Sequence, residues 1–223
     1  MRTDEAGCVV AQATGTLVEF QNRLFVISVA HAVPKDTKGW ALEVGLDPRH
    51  GIEVFHINTF AYAAEFTRST ATYRELDLCF AEIDADIEPK YELRTPRGLF
   101  DQRPRHIFKP EDFSEPDPKS KFAFSGRIRH ERHGEDVFVS EMAVYPGLKY
   151  LGTKQENHEF DLPVSHPGHD AFHGCSGSPV VDLQGRLVGL LTSGVVAKNT
   201  VTGIAIQRCI PGLRFLCKVR NAT

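Results

Sequence analysis

The strongest constraint on the fold is a series of short apolar runs that recurs along almost the whole chain. Turn-forming residues, 18 Gly and 13 Pro in 223 residues, divide these runs into pieces of strand length. No stretch before the C-terminal tail keeps helical periodicity for long, whereas short strands between turns fit the pattern. The sequence therefore predicts an all-β protein, with a brief helix only in the tail, at residues 210–219.

The predicted strands fall into two groups. They cover residues 15–20, 24–29, 40–44, 54–59 and 78–83 in the first half, and 122–125, 137–144, 159–162, 178–182, 187–191 and 203–206 in the second. Gln21-Asn22 joins the first two strands and predicts a hairpin with a tight turn. Between the groups, residues 96–121 are rich in proline and charge and predict a connector. We therefore expect two domains, at residues 1–98 and 99–223.

Charge and cysteine content exclude several classes of function. The net charge of -3 gives no concentrated basic face for nucleic acid or an anionic membrane. The first residues lead into no long apolar stretch, so we expect neither a signal peptide nor a membrane anchor, and a cytoplasmic location. Five cysteines without a Cys-x-x-Cys pair favour reduced, mostly buried thiols over a disulfide framework. We expect no cofactor and no metal.

The segment Gly174-Cys175-Ser176-Gly177-Ser178-Pro179 is the strongest chemical signal. A serine hydroxyl becomes a nucleophile when a base removes its proton, and an acyl intermediate needs N–H donors aimed at its oxyanion. Glycines on both sides of Ser176 permit the tight backbone turn that such donors require. A plain Gly/Ser-rich turn before a strand is the alternative for the four residues Gly-x-Ser-Gly alone.

Two further residues provide a base and an acid. His31 ends an apolar strand, where a rigidly held imidazole with a pKa of about 6.5 suits proton transfer. Asp77 enters an otherwise apolar strand, and a buried carboxylate there needs a partner such as an imidazole N–H. Taken singly, each of them also fits a purely structural histidine or aspartate.

Together these three segments resemble the chymotrypsin-like serine peptidases, in which the triad residues follow one another in the order His, Asp, Ser. The resemblance covers most of the chain and implies two six-stranded antiparallel β-barrels with the active site between them. It implies that Ser176 is the acyl nucleophile, that His31 is the general base and that Asp77 orients the imidazole. The backbone N–H groups of Gly174 and Ser176 would form the oxyanion hole.

The resemblance also implies where a protein or peptide substrate would bind. The segment Thr192-Ser193-Gly194 resembles the one that pairs with an extended substrate backbone, and Gly203 lies in the strand that resembles the far wall of the specificity pocket. Asp170 precedes Ser176 by the interval at which trypsin-like members carry the acid that selects Lys or Arg, so cleavage after basic residues is one hypothesis. Leu191, where glutamyl-specific relatives have a histidine, counts against acidic specificity.

Departures from the secreted digestive enzymes point to the bacterial or intracellular branch. The chain has no Ile-Val-Gly-Gly activation site near its start, and Cys175 stands where those enzymes carry the Asp that receives a new amino terminus. We therefore expect control by a partner protein or by loop ordering rather than by N-terminal cleavage.

Three alternatives remain open from the sequence. Cys175 is a second potential nucleophile, although it lies one residue out of register in Gly-x-Ser-Gly. His166, His169, His173 and Cys175 form a His/Cys cluster, for which pocket-lining or exposed histidines are favoured over a zinc site. The fold can also survive as a catalytically idle binding or sensor module.

Overall fold

We describe a computed structural model of the chain. It describes residues 1–4, 8–47, 49, 51–94, 100–133, 137–168, 172 and 174–220. As predicted, the protein is mostly β, with one short helix at the C-terminal end.

The described strands of the first half form several separate sheets. These strands are β1 (Arg2–Thr3), β2 (Val9–Ala11), β3 (Thr16–Phe20), β4 (Arg23–Ser28), β5 (Ala41–Asp47), β6 (Gly51–His56), β7 (Ala61–Thr67), β8 (Thr72–Ile83), β9 (Lys90–Arg94) and β10 (Phe100–Pro104). A four-stranded sheet has the order β3-β4-β8-β7, while β5-β6, β9-β10 and β1-β2 are antiparallel pairs. A second closed barrel is therefore not clearly formed among the described residues.

The hairpin that joins β3 to β4 turns as the sequence predicts. Gln21 and Asn22 both have positive φ, at 51° and 61°. Two consecutive residues with positive φ define the type I′ turn, whose twist matches that of the flanking strands. Phe20 consequently pairs with Arg23, and the register continues to Thr16 and Ile27.

The second half contains a closed six-stranded barrel in the order β11-β12-β13-β16-β15-β14. Its strands are β11 (Lys121–His133), β12 (Val137–Lys154), β13 (Asn157–Asp161), β14 (Pro179–Asp182), β15 (Leu187–Val195) and β16 (Thr200–Ala205). The ring closes because β11 pairs with both β12 and β14. Large side chains fill the interior, among them Phe122, Phe124, Leu148 and Phe160.

The two faces of β4 pack against different parts of the molecule, because successive side chains of a strand point to opposite faces. Phe25 and Ile27 join a large apolar cluster that includes Leu190 and Ile206 of the second half. Leu24 and Val26 join a much smaller cluster on the other face. The first half is thus tied to the barrel on one face and thinly covered on the other.

A cavity of about 720 Å³ lies against the thinly covered face. Apolar side chains of the first half contribute to its wall, including Leu17, Val26, Trp40, Leu42 and Phe60. Residues of the second half, such as Phe124 and Val144, line the same space, so the cavity lies between the two halves.

The C-terminal helix α1 (Ile210–Arg220) confirms the helix predicted for the tail. Leu213 and Cys217, four residues apart on one face, are both buried in the large cluster shared by the two halves. The helix therefore adds to the contact between the halves. No helix among the described residues has the length and apolar character needed to cross a membrane.

The predicted connector contains more structure than its composition indicates. Within residues 96–121, Phe108 is buried, and its backbone bridges to Val18 in parallel orientation. The Phe108 N–H donates to the Leu17 carbonyl at 3.0 Å, and the Phe108 carbonyl accepts from the Glu19 N–H at 2.8 Å. The connector is thus attached to β3 at this point. Residues 98 and 99, at the proposed boundary, are not described by the structure, so the boundary stays a prediction.

The five cysteines are all free thiols, in agreement with the sequence interpretation. Cys79, Cys175, Cys209 and Cys217 are buried, and Cys8 is half-buried.

Candidate active site

The pairing of β4 with β8 brings His31 and Asp77 together. Ser28, at the end of β4, pairs with Cys79 on β8. His31 lies three residues beyond Ser28, where β4 has ended, and Asp77 lies two residues before Cys79 on the part of β8 that continues past the end of β4. The antiparallel register alone therefore places the acid beside the imidazole.

Three hydrogen bonds connect Asp77, His31 and Ser176. The His31 backbone N–H donates to Asp77 Oδ1 at 2.9 Å, and His31 Nδ1 lies 2.7 Å from Asp77 Oδ2. On the other side of the ring, His31 Nε2 lies 2.9 Å from Ser176 Oγ. With Nδ1–H donating to the carboxylate, Nε2 is left to accept the serine proton.

The acid and the base perturb each other's titration. The hydrogen bond to Asp77 raises the pKa of His31, and the charge of Asp77 acts in the same direction, against the smaller effect of burial. Burial by itself would raise the pKa of Asp77, but the hydrogen bonds from the His31 ring and backbone outweigh it and lower that pKa. Both shifts favour a carboxylate next to an imidazolium, the charge state that proton transfer from Ser176 to His31 would produce.

Both groups remain in contact with solvent. The side chains of His31 and Asp77 are 50% and 37% exposed. Protons can therefore exchange with water at this pair in the absence of a bound substrate.

The turn that carries Ser176 depends on two glycines with positive φ. Gly174 has φ +93° and Gly177 has φ +89°. The Cys175 N–H donates to the Phe172 carbonyl at 2.9 Å, so Gly174 is the third residue of a four-residue turn. Side chains disfavour a positive φ at that place, which explains why glycine is needed there.

The backbone donors of this turn have different partners. The Gly177 N–H donates to the Leu191 carbonyl at 2.8 Å, and the Ser178 N–H donates to the Cys175 carbonyl at 2.9 Å. Within the described residues, neither the Gly174 N–H nor the Ser176 N–H donates to a backbone carbonyl. These two are the groups that the resemblance to chymotrypsin-like peptidases assigns to an oxyanion hole.

Two threonines of the first half hold the Ser176 turn across the interface between the halves. The Thr14 hydroxyl donates to the Gly174 carbonyl at 2.5 Å, and the Thr16 hydroxyl donates to the Gly177 carbonyl at 3.0 Å. A Cβ at Gly177 would overlap the Thr14 carbonyl oxygen, so the backbones meet there without room for a side chain. We call these two hydroxyls and their acceptors the threonine clamp. Sequence reasoning missed it, because its contacts join residues about 160 positions apart.

Cys175 points away from the reacting groups. Its side chain is fully buried, and burial raises the pKa of its thiol to about 12. A Cβ at Gly126 would lie 2.9 Å from Cys175 Sγ, which places the thiol against the barrel interior. The thiol therefore stays protonated, and a thiol is a far weaker nucleophile than a thiolate.

A cavity of about 620 Å³ opens beside Ser176 and His31. Its barrel-side wall includes Thr192, Ser193 and Gly194, the segment predicted to pair with substrate. Thr202 Oγ1 lies 3.2 Å from Thr192 Oγ1 and 2.7 Å from Ser193 Oγ, so hydroxyl contacts hold this segment.

Of the remaining predicted substrate-binding residues, the structure describes Gly203 but not Asp170. Gly203 pairs with Leu191, and a Cβ there would lie 2.9 Å from the Leu190 carbonyl oxygen, so close packing of β15 on β16 accounts for this glycine. Asp170 lies outside the described residues, as do His169 and His173 of the His/Cys cluster.

His166 packs behind the cavity wall. Its ring centroid lies 4.6 Å from that of Phe172, and Nδ1 accepts a hydrogen bond from the Gly168 N–H at 3.0 Å. A Cβ at Gly194 would overlap the imidazole, so the ring supports this part of the wall. In the part of the chain that is described, no group of three or more His, Cys, Asp or Glu residues could hold a metal ion.

Comparison with solved structures identifies the architecture. Human heparin binding protein aligns over 95% of this chain and 90% of its own, with a TM-score of 0.54 and 12% identity. The fold is chymotrypsin-like. A mutant of the same human protein gives a TM-score of 0.56 at 10% identity, over 93% of this chain and 86% of its own. Identity this low establishes a common fold alone.

A protease domain was matched at a lower TM-score. The MamO protease domain of Magnetospirillum magneticum aligns over 92% of this chain and 91% of its own, with a TM-score of 0.44 and 16% identity. The sequence matches no protein-family model and no curated protein.

Proposed function

We propose that this chymotrypsin-like protein is a serine endopeptidase that works through an acyl-enzyme intermediate. The observation that carries the proposal is the continuous hydrogen-bonded series from Asp77 through His31 to Ser176 Oγ, at 2.7 and 2.9 Å. A carboxylate, an imidazole and a hydroxyl in this order make a serine nucleophilic at neutral pH.

In the proposed reaction, Ser176 Oγ attacks the carbonyl carbon of the scissile peptide while His31 Nε2 takes the hydroxyl proton. The N–H groups of Gly174 and Ser176 donate to the oxyanion of the tetrahedral intermediate. His31 then gives its proton to the leaving amine as the C–N bond breaks, which leaves Ser176 acylated. Water, deprotonated by His31, hydrolyses this ester and regenerates the hydroxyl. Asp77 stabilises the imidazolium in both halves of the reaction.

The substrate is a protein or peptide in extended form. Its acyl portion lies along Thr192-Ser193-Gly194, which forms the barrel-side wall of the cavity. Cleavage after basic residues, through Asp170, and a pocket wall that includes Gly203 are retained as parts of the proposal. Cys175 is uncharged and cannot form an ion pair with a newly freed amine, so control by a partner protein or by loop ordering is the proposed form of regulation.

Serine is favoured over cysteine as the nucleophile. Ser176 Oγ contacts the base, whereas the thiol of Cys175 is buried and keeps its proton. Only one of the two neighbouring side chains can therefore reach a carbonyl carbon in the cavity.

A fluorophosphonate probe tests the nucleophile directly. We expect wild-type protein and Cys175→Ala to be labelled at Ser176, and Ser176→Ala and His31→Ala to be unlabelled, as read by mass spectrometry of the intact protein. Hydrolysis of a fluorogenic peptide panel should follow the same order. Labelling that persists in Ser176→Ala would refute the assignment.

A non-catalytic binding module is the second candidate function. It is supported by the TM-scores above 0.5 obtained with a protein named for binding heparin. The net charge of -3 gives no electrostatic basis for an anionic polysaccharide as the ligand. Absence of both probe labelling and peptide hydrolysis would favour this candidate over the peptidase.

A further inference from the structure

Arg2 lies on the wall of the cavity that contains the candidate nucleophile. The cavity is bounded on the barrel side by Thr192-Ser193-Gly194, and on the side of the first half by Arg2 and residues 10–12. Ser176 and His31 line the same space. A peptide bound at Ser176 would therefore meet Arg2 on the wall that the barrel does not provide.

The backbone of Arg2 is fixed by neighbouring strands. Arg2 pairs with Ala11 in β2 and forms a bridge with Trp40. On either side of it, the Met1 carbonyl accepts from the Ala41 N–H at 2.8 Å, and the Thr3 N–H donates to the Gly39 carbonyl at 2.9 Å. The point from which the side chain projects is therefore well defined.

The charge of Arg2 is not balanced within the described part of the cavity. Arg2 Nε is buried and has no hydrogen-bond partner in the described residues. No Asp or Glu is present among the described residues that line this space. A guanidinium that is partly removed from water and has no acid partner gains free energy when an anion binds to it.

We propose that Arg2 selects substrates that carry a carboxylate on the leaving-group side of the scissile bond. The inference rests on the proposed function, in which the acyl portion follows Thr192-Ser193-Gly194 and the leaving portion faces the opposite wall. The planar guanidinium presents paired N–H donors that match the two oxygens of a carboxylate. The carboxylate belongs to an acidic side chain or to a peptide C-terminus, since the two share the same chemistry.

Binding of leaving-group fragments to the Ser176→Ala protein tests this without any turnover. Three dipeptides serve as probes: Ala-Gln amide, Ala-Glu amide and Ala-Gln with a free C-terminal carboxylate. Their dissociation constants are measured by NMR titration at low and high salt. We expect at least one of the two carboxylate-bearing probes to bind about five- to tenfold more tightly than Ala-Gln amide at low salt. The difference should shrink at high salt, because ions screen a partly exposed pair.

Substitutions of Arg2 test whether this residue causes the preference for a carboxylate. In the Ser176→Ala background, Arg2→Gln should abolish the preference for a carboxylate and Arg2→Glu should reverse it. Arg214→Glu, at an exposed position of α1, makes the same change in net charge and should leave the preference intact. The relative affinities of Ala-Glu amide and Ala-Gln amide identify a side-chain carboxylate, and the free-acid probe identifies a C-terminal one.

The proposal fails if all three dipeptides bind equally to the Ser176→Ala protein, or if Arg2→Glu and Arg214→Glu weaken the preference to the same degree. The comparison of probes needs no change at Arg2, so an Arg2 variant that does not fold leaves the test in place. Fluorophosphonate labelling of the wild-type protein at Ser176 tests the peptidase proposal separately. Failure of one proposal can therefore be distinguished from failure of the other.

Discussion

The closed barrel and the open first half hold the reacting groups in contrasting ways. Ser176 lies between Cys175 and Gly177, which are buried, in a turn packed on the barrel core. His31 and Asp77, near the end of β4, have half and more than a third of their side chains exposed. The densely packed region thus sets backbone geometry, while the more open region supplies the groups that exchange protons.

Holding oxyanion donors in place and transferring protons have different structural requirements. Oxyanion donors act by being fixed in advance, and close packing around the turn restrains them. An imidazole must change charge in every cycle, and deep burial without compensation would oppose its charged form. Substitutions in the two halves should therefore have different effects.

The largest expected effect comes from the first half, at the carboxylate. Asp77→Asn should lower kcat/KM by about ten-thousandfold, because His31 loses the group that fixes its tautomer and stabilises its charge. The rate is measured with a cleavable peptide across the pH range. Asp84→Asn, an exposed change just beyond the end of β8, should leave the rate unchanged.

The pH dependence of the same variant has a defined sign. His31 accepts a proton only when neutral, and Asp77 raises the pKa of His31. Wild-type kcat/KM should therefore rise with pH through a midpoint above about 6.5, the ordinary value for histidine. In Asp77→Asn the acidic limb should move to lower pH. A limb that stays in place would show that Asp77 does not set the pKa of the base.

Leucine-to-alanine substitutions in the two halves should lower the free energy of unfolding by different amounts. Leu148→Ala, in the barrel core, should lower the free energy of unfolding by about 4 kcal/mol, and Leu17→Ala by about 2 kcal/mol. Leu148 is fully buried in a large cluster, whereas Leu17 belongs to the small cluster and lines the 720 Å³ cavity. Urea denaturation measures both. A cost for Leu17→Ala equal to that for Leu148→Ala would contradict the difference in packing.

The smallest effect is expected where the halves meet, at the threonine clamp. Thr14→Val removes the hydroxyl that holds the Gly174 carbonyl and keeps the shape of the side chain. We expect kcat to fall about tenfold with KM nearly unchanged, because one hydrogen bond contributes about 1.5 kcal/mol and a loss of that size slows a reaction about tenfold.

Two matched variants accompany this experiment. Thr14→Ser keeps a hydroxyl and should restore most of kcat, while Thr72→Val, at an exposed position of β8, should have no effect. If Thr14→Ser were as slow as Thr14→Val, the clamp would not position the turn through its hydrogen bond.

The sequence predicted local features of the fold where local chemistry decides them. The tight turn at Gln21-Asn22 and the tail helix follow from short-range preferences. The length of β12 did not follow, because Pro146-Gly147 resembles the end of a strand. Instead, Gly147 has φ +85° beside a shift in register, so a bulge absorbs the extra residue and the strand continues to Lys154.

The candidate site was predictable in its reacting groups and not in their supports. His31, Asp77 and Ser176 lie in short segments with recognisable surroundings, and the structure brings the three side chains together. Thr14 and Arg2 carry no local mark, because their importance comes from residues far along the chain. Phe108 escaped notice for the same reason, as a single apolar residue in a polar segment.

The tight meeting of Gly177 with the Thr14 backbone has a consequence for how such a protein can diversify. A methyl group added at Gly177 would push the two halves apart and move the hydroxyl of Ser176 away from His31. If the protein is the proposed peptidase, changes in substrate preference should therefore arise in the loops around the cleft rather than at this contact. Libraries made to alter selectivity should randomise residues on the cavity wall and leave both partners of this contact untouched.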